Sequence, residues 1–368
     1  MKKRTFILLV AFVLLFNISA SAASNIRVYV NGMRFNGDII LQNDRTFIPL
    51  RAVSEALGAN VEWDEATNSA FITFTEDDAI AKVVENVSPC VVTIVGIYDD
   101  GKPASLYNNP TAHGSGVIYK SNGYILTNAH VVENLRNLTV ILNDGTSLPG
   151  QVLYSDETAD LAVVKIEKIG LKPIAMAQKE TVLSGKTAIA IGTPISLSMR
   201  NTVTKGIVCG TDVSIPGSYY KLVQTDATIN PGNSGGPLLN TKGELIGINS
   251  SKFVHTDIDN VGFAIPIDTV QYTLSQFEQH GQIVRPDFTI DLEQSWEARI
   301  GLPTQKGITV KSASVPELLH GDEIKSVNGI PVHSITDWNE ALKQTYNGES
   351  FWVTLIRNGE SVAAEIKA

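Results

Sequence analysis

From about residue 79 to residue 277 the chain carries short valine- and isoleucine-rich runs, among them VVTIV, GVIY, YILT, LTVIL, LAVVKI, TAIAIG and LIGINS, separated by turn-rich loops. Strands this short and this frequent predict an all-β barrel pair or sandwich. A hydrophobic content of 43% over 368 residues supports real cores, in two or three domains.

Two smaller blocks flank this region. Residues 26 to 75 read as a strand with Val28 and Val30 on one face, then a short helix through Ala52, Val53, Ala56 and Leu57 stopped by Gly58. Asp64-Glu65-Ala66-Thr67-Asn68 follows as a turn between strands, and Glu76-Asp77-Asp78 as an acidic hinge. After about Val284, GITVKS, GDEIKSVNGIPV and FWVTLIRNG read as strands and ITDWNEALKQ as a helix.

The chain starts Met1-Lys2-Lys3-Arg4, continues through an apolar run from Phe6 to Phe16, and reaches the small residues Ser19 to Ala23. That order predicts a secretory leader over 1–22, cleaved after Ala22, and export to the cell envelope or beyond. The run is shorter than the roughly 18 to 20 residues of a spanning helix. A net charge of −9 disfavours nucleic acid as a partner. The two cysteines, Cys90 and Cys209, sit in apolar strand-like runs and are expected to be unbridged core residues. No cysteine or histidine cluster has metal-ligand spacing and no phosphate loop occurs, so neither metal nor other cofactor is expected.

Chemistry concentrates in TDATINPGNSGGPL, residues 225–238, where Ser234 stands among glycines. Glycine tolerates positive φ, so such a run can aim successive amides into one concavity that would hold an oxyanion. A serine hydroxyl needs a base, and the base needs an orienting acid. Of six histidines, His130 has the context for this work, because it follows the strand end Thr127-Asn128-Ala129 and opens a helical turn. His113 and His255 read as solvated loop residues. The acid is Asp156 or Asp160. Asp160 directly precedes the apolar strand Leu161–Val164 and is drawn inward, where a carboxylate needs a partner, whereas Asp156 is expected to face water. Asp160 accepting from Nδ1 of His130 would leave Nε2 to receive the Ser234 proton.

With these residues in hand, TNAHVV, ADLAVVKI, QTDATINPGNSGGPL and VGFAIPID resemble the HtrA (Deg) group of trypsin-fold serine endopeptidases. The resemblance implies a mainly β protein with a double β-barrel protease domain over 79–277. It also implies catalytic roles for His130, Asp160 and Ser234, and an oxyanion hole in the Gly232-Asn233-Ser234 backbone with Gly232 and Ser234 as donors. Asn233 replaces the aspartate that digestive trypsins pair with a newly cut amino terminus, so that activation is not expected. Thr228 and Ile229 fall at the S1 pocket, where the absence of an acid favours small or aliphatic P1 residues. Implied substrates are unfolded or misfolded proteins, and the implied assembly is a homo-oligomer, a trimer.

The last block, 284–368, resembles the PDZ domain of the same group through DFTIDL, GLPTQKGITVKS and GDEIKSVNGIPV. Phe288-Thr289-Ile290 occupies the peptide carboxylate loop, and the β-branched Thr289 stands in place of a glycine, which disfavours capture of peptide C-termini. Residues 25–75 resemble the small α+β module of copper amine oxidase amino termini, through VNG, RTFIPLRAVSEALGA and VEWD. That module implies an extracellular accessory role toward a cell-wall or surface ligand, and no copper. The competing reading is a non-catalytic chaperone, scaffold or surface-binding protein built on the protease fold.

Overall fold

The computed structural model describes residues 26–30, 33–73, 76–99, 111–253, 260–346 and 348–367. The expected leader, 1–22, and His255 lie outside them. The chain forms two compact units, up to residue 79 and from residue 80 onward.

Among the described residues before helix α2, the first unit holds three antiparallel hairpins and one helix. The strands are β1 (Tyr29–Val30), β2 (Met33–Arg34), β3 (Ile40–Gln42) and β4 (Arg45–Phe47), followed by helix α1 (Leu50–Ala56), β5 (Asn60–Asp64) and β6 (Ser69–Thr73). The helix stops where expected, with Gly58 at φ 90°. The Asp64 carboxylate ties the expected turn by accepting from the Thr67 hydroxyl at 2.6 Å and the Ala66 amide at 2.8 Å. Residues 76–78 do not form a hinge: they open helix α2 (Glu76–Val87), whose apolar Val83 and Val87 pack into the core of the second unit.

The second unit begins with a closed six-stranded barrel of β7 (Val91–Tyr98), β8 (Thr111–Lys120), β9 (Tyr124–Thr127), β10 (Leu135–Ile141), β11 (Ser147–Asp156) and β12 (Leu161–Ile166). The short helix α3 (Ala129–Val132) leaves β9. A second ring joins β14 (Thr187–Gly192), β15 (Thr202–Val213), β16 (Leu222–Thr225), β17 (Pro237–Leu239), β18 (Glu244–Ser250) and β19 (Gly262–Pro266), with the small strand β13 (Ala175–Met176) beside β18 and a β18–β19 pairing that closes it. The apolar runs are continuous because both faces of the strands are buried. Along β12, Ala162, Val164 and Ile166 fill the first barrel, while Leu161 and Val163 join the core shared between barrels. Along β14, Ala188 and Ala190 fill the second barrel, and Ile189 and Ile191 face that same shared core. Helix α4 (Ile267–His280) covers it with Val270, Leu274 and Phe277, and ends at Gly281 in the left-handed region.

The rest is a sheet of β20 (Ile290–Glu293), β21 (Ile308–Ala313), β22 (Glu323–Val327), β24 (Ser350–Arg357) and β25 (Glu360–Lys367), with β23 (Ile330–Pro331) paired to β22. Helix α5 (Trp296–Arg299) follows β20, and α6 (Ile335–Thr345) precedes β24. GDEIKSVNGIPV is a hairpin rather than one strand, because Asn328 and Gly329 both take positive φ. Trp338, Tyr346, Phe351 and Phe288 form the aromatic centre of its core. Among the described residues no helix is long and apolar enough to cross a membrane. Cys90 is buried as expected, but Cys209 is exposed on the outer face of β15, and both are free.

Helix α6 is buried on two sides. Trp338 and Leu342 face its own sheet, while Asn339 donates to Tyr219 O at 2.9 Å, Glu340 accepts from the Lys221 amide at 2.8 Å, and Lys343 donates to Thr269 Oγ1 at 2.9 Å. Two carboxylates complete this seam, Asp268 with Lys343 and Lys179, and Asp337 with Lys221. Burial alone would push the Asp268 carboxyl up, but the lysines outweigh it and hold it below its ordinary 3.8; Asp337 is held down in the same way by Lys221. A carboxylate with a depressed folded value stabilises fully above its ordinary value and loses that contribution as pH falls through the folded one. The α6 seam is therefore expected to loosen below pH 3.8. Hydrogen exchange at the α6 amides, corrected for intrinsic rate, checks this: protection at pH 3 equal to that at pH 6 would contradict it.

Candidate active site

At the junction of the barrels His130 and Asp160 meet directly, and Ser234 is tied to the same place through the consecutive residues Ser250, which bonds Asp160, and Ser251, which bonds Ser234. His130 lies on α3, placed there because Asn128 ends β9 and sends its side-chain amide to Asp160 O at 2.9 Å. Asp160 precedes β12 with φ 53°, a left-handed conformation that aspartate tolerates better than most residues. The turn entering it is held by Asp156. That side chain does not face water: it is 12% exposed, accepts from the Ala159 amide at 2.6 Å and pairs with both terminal nitrogens of Arg285 at 2.7 and 2.8 Å. The partner is 129 residues away, so nothing local in the sequence announces it.

The Asp160 carboxylate is 2% exposed and fully supplied with donors. His130 Nδ1 lies 2.8 and 2.9 Å from its two oxygens, the His130 amide donates to Oδ1 at 3.1 Å, and Ser250 Oγ donates to Oδ2 at 3.0 Å. An aspartate carboxylate only accepts, so Nδ1 carries the hydrogen, and in the neutral imidazole Nε2 presents a lone pair. The imidazole can then take a proton on the side facing the cleft.

Ser234 lies in the turn between β16 and β17, 3% exposed. The turn is built on glycines where no side chain fits. Gly232 has φ 102°, and a Cβ there would lie 2.2 Å from Thr193 O; Gly235 has φ 82°, and a Cβ there would lie 2.1 Å from Ser115 O. Within the expected Gly232-Asn233-Ser234 oxyanion backbone, the Asn233 amide is used inside the turn, donating to Asn230 O at 2.9 Å, and is not open to an oxyanion. The Gly232 and Ser234 amides make no hydrogen bond to the described residues.

Ser115, in GSGVIY, carries more of this turn than its sequence context signals. It is wholly buried; its amide donates to Ser234 O at 2.8 Å, its hydroxyl donates to Gly232 O at 2.7 Å, and that hydroxyl accepts from the Thr193 amide at 3.0 Å. His113, two residues earlier, is not in a solvated loop. It lies on β8, paired with Val95 of β7, and its shielded Nε2 lies beside Gly232 without a hydrogen-bond partner among the described residues.

Of the two residues expected at the substrate pocket, Ile229 is buried against Gly262, where any Cβ would lie 2.7 Å from Ile229 Cγ1. Thr228 is exposed, and its carbonyl accepts from Thr204 Oγ1 and Asn233 Nδ2. Phe288, Thr289 and Ile290 lie far along the chain at the start of β20. Phe288 stacks on Phe351, Ile290 opens the strand, and the Thr289 amide is occupied by Ser314 Oγ at 3.0 Å.

Comparisons with known proteins agree with this architecture. A profile for the trypsin-like peptidase domain matches residues 114–248, and one for the copper amine oxidase N-terminal domain matches residues 25–92. The chain is 35% identical over 329 residues to the serine protease Do-like HtrA of Bacillus subtilis, covering 80% of this chain and 73% of that protein. It is 38% identical over 266 residues to the putative serine protease HhoB of Synechocystis sp., covering 66% of this chain and spanning 63% of that relative's length. A solved structure described as HtrA-type protease AlgW with tripeptide superposes with TM-score 0.65 at 29% identity, covering 78% of this chain and 95% of that one.

Proposed function

Because the chain belongs to the HtrA (Do-like) family of trypsin-like serine endopeptidases, we propose that His130, Asp160 and Ser234 are its catalytic triad and that it cleaves unfolded or misfolded proteins in the cell envelope. The observation that carries the triad is the buried Asp160 carboxylate on Nδ1 of His130, which leaves Nε2 as the acceptor for the Ser234 proton. Export to the envelope rests on the basic and apolar start of the sequence.

In this reading Ser234 Oγ attacks the scissile carbonyl carbon as its proton passes to His130 Nε2. The carbonyl oxygen becomes an oxyanion held by the Gly232 and Ser234 amides, whose aim Ser115 maintains. The carbon–nitrogen bond then breaks, and His130 returns the proton to the departing amine. Water repeats the sequence on the acyl-enzyme. Asp160 steadies the imidazolium and its orientation throughout.

Ser234→Ala is expected to abolish casein cleavage while leaving the thermal midpoint within a few degrees of wild type. Asp160→Asn is expected to lose most activity at neutral pH, because an amide also accommodates the opposite imidazole tautomer. Triad losses run on the order of 10⁴-fold or more, so residual turnover within about tenfold of wild type in either variant would refute the assignment.

Specificity follows from Ile229 packed on Gly262 and from the lack of an acid at Thr228. A P1 lysine or arginine would be buried without a counter-charge, at a cost of several kcal/mol. Matched peptide libraries should therefore show Val and Ala preferred at P1. Dominance of basic P1 residues would exclude this pocket.

The C-terminal sheet with α6 is read as a PDZ-like unit whose free β20 edge can take a peptide strand. Its Thr289 amide is already spent on Ser314, so peptide C-termini should bind weakly, above roughly 100 µM. Calorimetric titration with apolar C-terminal peptides decides the matter: low-micromolar binding abolished by C-terminal amidation would overturn it.

A further inference from the structure

The Ser234 hydroxyl is not on His130. Its oxygen lies 2.7 Å from Ser251 Oγ and accepts from the Ser251 amide at 2.9 Å, whereas His130 Nε2 makes no hydrogen bond to it. We propose that Ser251 is a positioning residue that holds Ser234 in a resting orientation, turned away from the base; the proposal rests on the reading of Ser234 as nucleophile.

A hydroxyl has one hydrogen and two lone pairs. The Ser251 amide occupies one lone pair of Ser234 Oγ. If Ser234 donates to Ser251 Oγ, its proton is aimed away from His130. If Ser251 donates instead, both lone pairs of Ser234 are occupied and none is free to attack. On either assignment the nucleophile has to break the side-chain bond before it can react. Ser251 Oγ bonds no other described residue, so its removal breaks the side-chain bond alone and leaves Ser234 held only by the Ser251 amide among the described residues, which eases its turn toward His130.

The placement follows from the end of β18. Ser250, its last residue, donates to Asp160 Oδ2, and Ser251, the next, binds Ser234, so two consecutive serines hold the acid and the nucleophile. Ser250 supports the charged arrangement in every state. Ser251 supports only the one in which the hydroxyl is turned away.

The full chain is tested with a small alkyl fluorophosphonate. Ser234 Oγ forms a bond to phosphorus, the phosphorus–fluorine bond breaks, fluoride leaves, and the hydroxyl proton passes to His130. Inactivation kinetics are measured on wild type, Ser251→Ala and Ser251→Thr, with the labelled residue identified by peptide mass mapping. Ser251→Ala should raise the maximal inactivation rate about three- to tenfold, the weight of one neutral hydrogen bond, with the inhibitor's binding constant unchanged. Ser251→Thr keeps the hydroxyl and should stay at the wild-type rate. A rate unchanged or lowered in Ser251→Ala overturns the proposal, as does a gain confined to binding or shared by Ser251→Thr. Label absent from Ser234 in wild type would overturn the nucleophile reading, and this proposal with it.

Discussion

A carboxylate buried to 2% exposure between two barrels has to be surrounded by donors, and Asp160 draws them from both. From the first barrel come the amide and Nδ1 of His130; from the second comes the hydroxyl of Ser250. Ser115 of the first barrel ties the same junction, its amide donating to Ser234 O and its hydroxyl to Gly232 O in the second. The carboxylate is satisfied only when the two are joined, so the chemistry that orients His130 also fixes the register of one barrel against the other. Its left-handed backbone and the Asp156–Arg285 pair that holds the preceding turn are local costs of bringing that group inside.

Much of this was legible in the sequence, for identifiable reasons. LAVVKI and TAIAIG are apolar at nearly every position because alternate residues face the interior of one barrel and the core shared by both. GDEIKSVNGIPV was read as a strand, and its Asn328-Gly329 pair, a legible hairpin signal, went unused. The junctions that set out His130 and Asp160 are local events: a strand end followed by a helical turn, and a polar residue at the head of an apolar strand. The glycines around Ser234 are likewise required by the backbone itself, since any side chain at Gly232 or Gly235 would meet a carbonyl oxygen within about 2.2 Å.

What sequence reading missed depends on partners far along the chain. Asp156 looked solvated because Arg285 is 129 residues away, and Ser115 looked like part of a glycine-rich strand because Gly232 is 117 residues away. His113 lies beside Gly232 only because β8 and the Ser234 turn converge. Cys209 fails in the other direction: its run is apolar, but alternation along β15 turns it outward together with Lys205 and Ile207. Helix α2 was hidden by the three acidic residues that open it, Glu76, Asp77 and Asp78, which suggested a hinge, although the turns after them bury Val83 and Val87.

Arg285 also bears on how the C-terminal unit is separated from the barrels. Its guanidinium lies in the segment leading into that unit, yet its partner Asp156 belongs to the first barrel, on the turn that delivers Asp160. Burial would lower the affinity of this guanidinium for its proton, and the Asp156 carboxylate more than offsets that, raising it above its ordinary value. The two charges are therefore matched inside the fold, and removing one leaves the other uncompensated. A chain cut before Arg285 loses the C-terminal unit and also strips Asp156 of its partner, four residues from Asp160. A chain cut after Arg285 keeps that pair and loses the sheet with α5 and α6, and with α6 its seam to Tyr219, Lys221 and Thr269. The difference between those two truncations isolates what the C-terminal unit contributes to the site from what the linker arginine contributes to the turn.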